Sequence, residues 1–299
     1  MKIHLIGLGK MGSNLALNLK DNHFEVLGYD PNIEVRKESQ KNGITVKNSL
    51  EELLANQNER KIVWLLVPNQ YVDSVIEEIK PFLNPEDIIV DGGNSNFNLS
   101  VKRYQQLKEE NLHFIDVGTS GGTYGARNGA CLMIGGTKEI FDYLEPIFKA
   151  VSVENGYGYM GSPGSGHFVK MVHNGIEYGM MQALGEGFDL LENSPFENLD
   201  YHKITEVWNH GSIIESALVG YIGNAFSKDP KLEELQGRID DSGEGMWMVE
   251  EALKYGVSLP VITHSLFARY KSRDDQKFSE KVVAAMRKEF GGHAVYKKK

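Results

Sequence analysis

The sequence predicts an α/β fold, a doubly wound and mainly parallel sheet followed by an all-α C-terminal domain. Three observations carry this expectation. Short β-rich runs alternate with helical segments through the first half, a glycine-rich turn joins the first run to the first helical segment, and strand signals largely stop after residue 166.

In chain order, "KIHLIG", "FEVLGYD", "KIVWLLV", "DIIVDGG", "HFIDVG" and "CLMIGG" read as strands. Several are apolar on consecutive residues, as strands covered on both faces are. Between them, residues 11–21, 32–42, 69–80 and 97–110 carry helical patterning. "GYMGSPGSG", residues 158–166, reads as a loop. Beyond it, 167–193, 200–226, 231–256, 260–273 and 275–290 read as helix or helix with loop, broken by "NSPFEN", "SKDP" and "SGEG". The expected domains are 1–161 and 162–299.

Composition bounds the function. With 299 residues, 41% hydrophobic and 24% charged, the chain has room for two globular domains. A net charge of -9 argues against nucleic acid as the main partner, so an anionic substrate needs a local cationic cluster. Cys131 is the single cysteine, which excludes an internal disulfide framework and a multi-cysteine metal site; it reads as a packing residue. The chain opens on "MKIHLIGLG" without a basic and apolar leader, and no apolar run reaches membrane-spanning length. A cytoplasmic location with no membrane partner is expected.

"GLGKMG", spanning Gly7, Leu8, Gly9, Lys10, Met11 and Gly12, fits G-x-G-x-x-G in the context that gives the motif meaning. A strand precedes it, a helix follows, and a second strand ends at Asp30 about 20 residues on. Gly7 permits the tight turn, Gly9 the approach of a pyrophosphate, and Gly12 close packing of helix on strand. The first domain is thus expected to be a Rossmann-type dinucleotide-binding domain, with Val67 and Asn94 completing the cofactor-binding set. A carboxylate at Asp30 accepts from both ribose hydroxyls and repels a 2′-phosphate, and "PNIEVRK" sets no Arg directly beside it, although Arg36 and Lys37 lie within a helix length. NAD is expected over NADP.

"GHFVKMVHNGIEYGMMQ" places Lys170, His173, Asn174, Glu177 and Tyr178 on one helix face. Val169, Val172, Ile176 and Ala183 form an apolar stripe beside it that is expected to be buried. The flanks are Met, Val, Gly and aromatic residues rather than ordinary surface types, so the polar face reads as partly buried and in need of partners or a purpose. With a nicotinamide nearby, a neutral Lys170 is a base for oxidising a secondary alcohol, His173 and Asn174 orient the substrate, and Glu177 is a second acid.

"GSGHFVKMVHNGIEYGMMQ", "VGTSGGTYGARNGACLMIGG", "DGGNSN" and "GLGKMG" together resemble the 6-phosphogluconate dehydrogenases in their short form, over nearly the whole chain. The resemblance implies metal-free oxidative decarboxylation of 6-phosphogluconate to ribulose 5-phosphate with NAD, in the pentose phosphate pathway. It also implies a homodimer with shared active sites, and leaves pairing into tetramers open. On this resemblance Lys170 is the general base and Glu177 the general acid. Asn94, Ser120, Gly121 and Gly122 hold the sugar acid and its carboxylate, while His173, Asn174 and Tyr178 are further substrate ligands. Arg269 of "FARYKSR" binds phosphate, and Arg287 and His293 of "RKEFGGH" are phosphate ligands supplied by the neighbouring subunit.

Plainer readings stand beside these. Asn94 is a helix cap, "SGG" a turn, and the tail a frayed helix end. One departure concerns the phosphate: Ser242 and Glu244 of "DSGEGMW" stand where long-form members carry Lys and Thr. A carboxylate there opposes a phosphate unless it faces away or pairs with Arg269. The alternatives are a β-hydroxyacid dehydrogenase of the 3-hydroxyisobutyrate type, and a catalytically silent NAD-binding sensor.

Overall fold

The computed structural model describes residues 1–55, 59–291 and 294–296. The chain forms two compact units, residues 1–173 and 174–299. In the first, strands β1 (Lys2–Ile6), β2 (Glu25–Tyr29), β3 (Thr45–Val46), β4 (Ile62–Leu65), β5 (Ile88–Asp91), β6 (His113–Ser120), β7 (Ala130–Gly135) and β8 (Ser152–Gly161) make one sheet in the order 3-2-1-4-5-6-7-8. Neighbours pair in parallel except β6 and β7, which are antiparallel.

Helices α1 (Lys10–Asp21), α2 (Ile33–Lys41), α3 (Leu50–Leu53), α4 (Asn69–Ile79), α5 (Phe97–Glu109), α6 (Gly122–Asn128) and α7 (Lys138–Val151) connect the strands. The continuous apolar runs of β4 and β5 are buried along their whole length, as a sheet covered on both faces requires. Two apolar clusters build the core of this unit, one around Leu5, Trp64 and Phe148 and the other around Ile6, Leu65 and Phe114. The strand order reverses between β1 and β4, so a crevice opens at their carboxyl ends, where the glycine loop and Val67 lie.

The doubly wound sheet is as the sequence predicts, but some local readings need correction. Residues 158–161 belong to β8 rather than to a loop, because parallel pairing with β7 overrides the glycine-rich composition. Cys131 is exposed on β7, not packed; it occupies the single exposed position of an otherwise buried strand.

At the amino ends of β4 and β5, Lys61 and Asp87 form a fully buried ion pair with Nζ and Oδ2 3.2 Å apart. The carboxylate also accepts from the amides of Lys61, at 2.7 Å, and Asn84, at 2.8 Å, so its burial is compensated. His4 of β1, 3% exposed, lies in the same electrostatic environment and sets its Nδ1 3.3 Å from the Ile62 carbonyl.

Helix α8 (Ser165–Glu192) contains the division between the units. The second unit continues with α9 (Tyr201–Trp208), α10 (Ala217–Phe226), α11 (Glu244–Tyr255), α12 (Pro260–Ser272) and α13 (Phe278–Gly291), with no strand among its described residues. Its buried cluster is aromatic: Phe188 meets Phe226 at 4.9 Å and Tyr201 at 5.7 Å between ring centroids. The helical reading of 231–256 holds from Glu244 onward. Before it, Gly243 at φ +101° ends a non-helical acidic stretch, a conformation that favours glycine. Among the described residues no helix is long and apolar enough to cross a membrane.

Burial pushes the His4 imidazole below its ordinary pKa of 6.5, so the unfolded chain binds this proton more readily than the folded one. His4 therefore contributes stability that is fully present above 6.5 and is lost as pH falls toward the depressed folded value. Thermal melts between about pH 7.5 and about pH 5.5 should show a flatter decline for His4→Gln than for the parent, by at most about 1.4 kcal/mol per pH unit. Superimposable profiles would remove His4 from the pH response.

Candidate active site

The glycine loop follows β1 directly. Gly7 has φ +96°, and a Cβ there would meet the Leu66 carbonyl oxygen at 2.4 Å and Val67 Cγ1 at 3.2 Å. A Cβ on Gly12 would meet the Gly7 carbonyl oxygen at 1.9 Å, so α1 seats against the loop only with glycine at that position. Nothing lies within 4 Å of a Cβ on Gly9, which leaves open space above the start of α1. That helix has neither a side-chain cap at Gly9 nor an acidic residue in its first turn. Open space beside such a terminus suits a pyrophosphate, so these residues fit a dinucleotide.

Asp30 closes this crevice. Its Oδ2 accepts from the Leu8 amide and its Oδ1 from the Asn32 amide, both at 2.9 Å, so one carboxylate ties the loop after β2 to the glycine loop. The expectation of no arginine beside Asp30 is corrected here. The first turn of α2 brings Arg36 back, and its Nη1 donates to the Asp30 carbonyl at 2.6 Å and the Pro31 carbonyl at 3.2 Å. Its guanidinium also lies 5.6 Å from the Tyr29 ring centroid.

The "DGGNSN" loop after β5 hangs on buried Asp91. The carboxylate accepts from the Gly93 amide at 3.1 Å, Ser95 Oγ at 2.8 Å and Arg103 Nη1 at 3.1 Å. Arg103 is in turn held by Asp73 of α4 at 2.6 Å. Asn94 is exposed on this loop and does not cap the following helix; Asn96 does, accepting from the Asn98 amide at 2.9 Å. The plainer reading of Asn94 as a cap is therefore removed.

Beyond β6 the "SGG" turn starts α6, with Gly121 at φ +114° and Gly122 at φ +60°. Ser120 Oγ lies 3.1 Å from His173 Nε2, and His173 Nδ1 lies 3.4 Å from Lys170 Nζ. With the proton on Nε2, the ring donates to Ser120 and accepts from Lys170. Lys170, His173, Asn174 and Glu177 are half-buried and Tyr178 is buried. The apolar stripe beside them is corrected: Ile176 is 50% exposed and Ala183 is exposed, while Val169 and Val172 are half-buried. The buried stripe of α8 is instead Met171, Gly175, Tyr178 and Gly179, whose glycines admit close neighbours.

In the second unit the first turn of α11 packs flat on Tyr178, since a Cβ on Gly245 would stand 2.6 Å from its ring. The Tyr178 hydroxyl accepts from the Ser242 amide at 3.4 Å, and the Arg269 guanidinium lies 3.5 Å from the ring centroid. Arg269 Nη1 donates to the Asp240 carbonyl at 2.9 Å. Glu244 is buried and accepts from Asn174 Nδ2 at 3.0 Å. Arg287 is exposed on α13, and His293 lies outside the described residues. The roles of Arg103, Asp116 and Gly118 have no signal in the local sequence, because they depend on partners 12 or more residues away along the chain.

Fold and glycine loop together define a dinucleotide-binding oxidoreductase with a helical second unit. Residues 2–161 match the model of the NAD binding domain of 6-phosphogluconate dehydrogenase, and residues 166–298 that of the 6-phosphogluconate dehydrogenase C-terminal domain. The chain belongs to the 6-phosphogluconate dehydrogenase family. It is 50% identical over 298 residues to a Bacillus subtilis protein named "Putative 6-phosphogluconate dehydrogenase YqeC", covering all of both chains. It is 38% identical over 301 residues to the NAD(+)-dependent, decarboxylating 6-phosphogluconate dehydrogenase of Haloferax volcanii, covering all of this chain and 99% of that one. Among solved structures, the Plasmodium falciparum 6-phosphogluconate dehydrogenase, studied in apo form, with NADP+ and with 6-phosphogluconate, is similar at a TM-score of 0.84 and 31% identity. All of this chain but 66% of that one is covered.

Proposed function

We propose that this protein oxidatively decarboxylates 6-phospho-D-gluconate to D-ribulose 5-phosphate and carbon dioxide with reduction of NAD, in the cytoplasm, as a step of the pentose phosphate pathway. The observation that carries the reading is the chain Ser120, His173, Lys170, which holds a basic nitrogen beside the open "SGG" turn. The nicotinamide, when bound, supplies the hydride acceptor. Lys170 Nζ takes the proton of the C3 hydroxyl, and His173 with Ser120 fixes where that nitrogen stands. Asn94, Ser120, Gly121 and Gly122 hold the sugar acid and its carboxylate. Once C3 is a ketone, the β-carboxylate leaves as carbon dioxide, and protonated Lys170 donates to the developing enolate oxygen. Glu177 then protonates C1 of the enediol while the now neutral Lys170 takes back the proton of the enol hydroxyl, giving the ketose, with Asn174 and Tyr178 as further substrate ligands.

NAD is the proposed cofactor because Asp30 sets a carboxylate, tied by two amides, at the edge where a 2′-phosphate would sit. Arg36 is nearby, but its Nη1 is committed to main-chain carbonyls. For the phosphate end of the substrate we propose Arg269, with Arg287 and His293 from a partner subunit in a homodimer. Exposed apolar residues support an oligomer: Ile176, Met180 and Leu190 on α8, and Val282, Val283 and Met286 on α13. Glu244 is turned to Asn174, so the phosphate reading does not need it to pair with Arg269.

The primary test supplies 6-phosphogluconate with NAD or NADP and follows both reduced cofactor and released carbon dioxide. Preference for small unphosphorylated hydroxyacids would support the 3-hydroxyisobutyrate-type alternative, and tight dinucleotide binding without turnover the sensor. Lys170→Met should keep NAD binding and lose at least about 100-fold in turnover, the lower range for positioned acid-base catalysis. Near-parental turnover would sink the assignment of the base.

Asp30→Ala should weaken NAD binding by about 1.5 to 3 kcal/mol and relax discrimination against NADP. Equal or better use of NADP by the parent protein would refute the cofactor assignment. For the shared site, a truncation after Met286 should raise the Michaelis constant for 6-phosphogluconate steeply and spare NAD affinity. Mixing it with Lys170→Met under subunit exchange should restore some activity. Verified exchange without recovery would remove the partner's tail from the site.

A further inference from the structure

We infer that Asp116 is a positioning residue for the reaction: it fixes the start of α8 and thereby the place of Lys170 over β6. The inference rests on the reading of Lys170 as the base. Asp116 is 0% exposed, and its Oδ1 accepts from the Gly164 amide at 2.7 Å while its Oδ2 accepts from the His167 amide at 2.8 Å. Amides at a helix start have no intrahelical acceptor, and a cap normally comes from the residue just before the helix. That residue here is Gly164, which has no side chain to offer, and the acceptor comes from 48 residues earlier in the chain. Two amides and the positive end of the helix offset the burial of the carboxylate.

The seat admits little error. A Cβ on Gly166 would stand 2.5 Å from the Asp116 carbonyl oxygen, and one on Gly135 would stand 2.6 Å from Asp116 Oδ1. A Cβ on Gly118 would stand 2.3 Å from Lys170 Cβ, so the lysine stem rests on β6 two residues beyond Asp116. The first turn is pinned from another side by Ser100 Oγ, 2.7 Å from His167 Nδ1. Alternate residues 116, 118 and 120 of one strand face thus engage residues 167, 170 and 173 of one helix face, as a cap, a stem rest and a hydrogen bond. A change at the first contact moves the second, where the basic nitrogen is carried.

Asp116→Asn keeps the shape but turns an NH2 group toward one of the two amides. It should lower kcat with 6-phosphogluconate and NAD by about 10- to 100-fold, the effect of displacing a reacting group by roughly 1 Å. NAD affinity should stay within about 3-fold, since Asp116 touches no residue of the glycine loop, and kcat should fall by more than the Michaelis constant for 6-phosphogluconate rises, since Asn174 and Tyr178 lie further along α8 from the displaced start. Gly118→Ala, which pushes on the lysine stem from the other contact, should give the same split. Leu144→Ala, in the apolar cluster where α7 packs against the sheet, serves as the comparison for lost stability and should leave kcat near the parent's at temperatures where it is folded. Adding Asp116→Asn to Lys170→Met should slow the protein no further, because the group being positioned is already gone.

A parental kcat in Asp116→Asn, with Lys170→Met inactive, overturns the positioning role while leaving the base intact. Near-parental turnover of Lys170→Met overturns both. Should Asp116→Asn fail to bind NAD or to melt cooperatively, Gly118→Ala decides: the kcat split supports the inference, and parental kinetics overturn it.

Discussion

A helix that begins inside a protein exposes amides no water can reach, and an acceptor must come from elsewhere in the fold. In this chain the acceptor is the Asp116 carboxylate, at the carboxyl end of the sheet. The requirement propagates outward. An acid buried there demands two donors, the donors demand that helix and strand nearly touch, and near contact demands glycine at residues 118, 135 and 166. The placement of the lysine helix follows from satisfying one buried charge.

A second buried carboxylate sits beside it, since Asp91 of β5 is the register partner of Asp116 on β6. Like charges on neighbouring strands are tolerated because each has its own donors: Arg103, Ser95 and the Gly93 amide for one, helix amides for the other. Each acid organises a different loop. Asp91 shapes the turn that presents Asn94, and Asp116 the start of α8. The same device appears a third time where Asp30 takes the amide of Leu8 and joins the loop after β2 to the glycine loop. Asp30, Asp91 and Asp116, on or just after their strands, thus each hold a loop or helix start of the first unit.

The second unit orders its polar residues by stacking instead. Tyr178 is covered by the first turn of α11 through Gly245 and by the Arg269 guanidinium. Glu244, buried in the first turn of α11, has its carboxylate on the Asn174 side-chain amide at 3.0 Å.

What the sequence by itself determined is what local period and spacing encode. Apolar runs and their alternation with helical patterning specify a doubly wound sheet, "GLGKMG" between strand and helix specifies the dinucleotide loop, and the 3.6-residue period puts Lys170, His173, Asn174, Glu177 and Tyr178 on one face. Tertiary structure alone decided which distant groups complete those local features. The cap of α8, the partner of Glu244 and the β8 strand within a glycine-rich stretch all depend on it. The physical reason is that these are matters of a buried polar group finding a donor, or a strand finding a neighbour. Those choices are made through space by close packing, between residues whose separation along the chain carries no periodic signal.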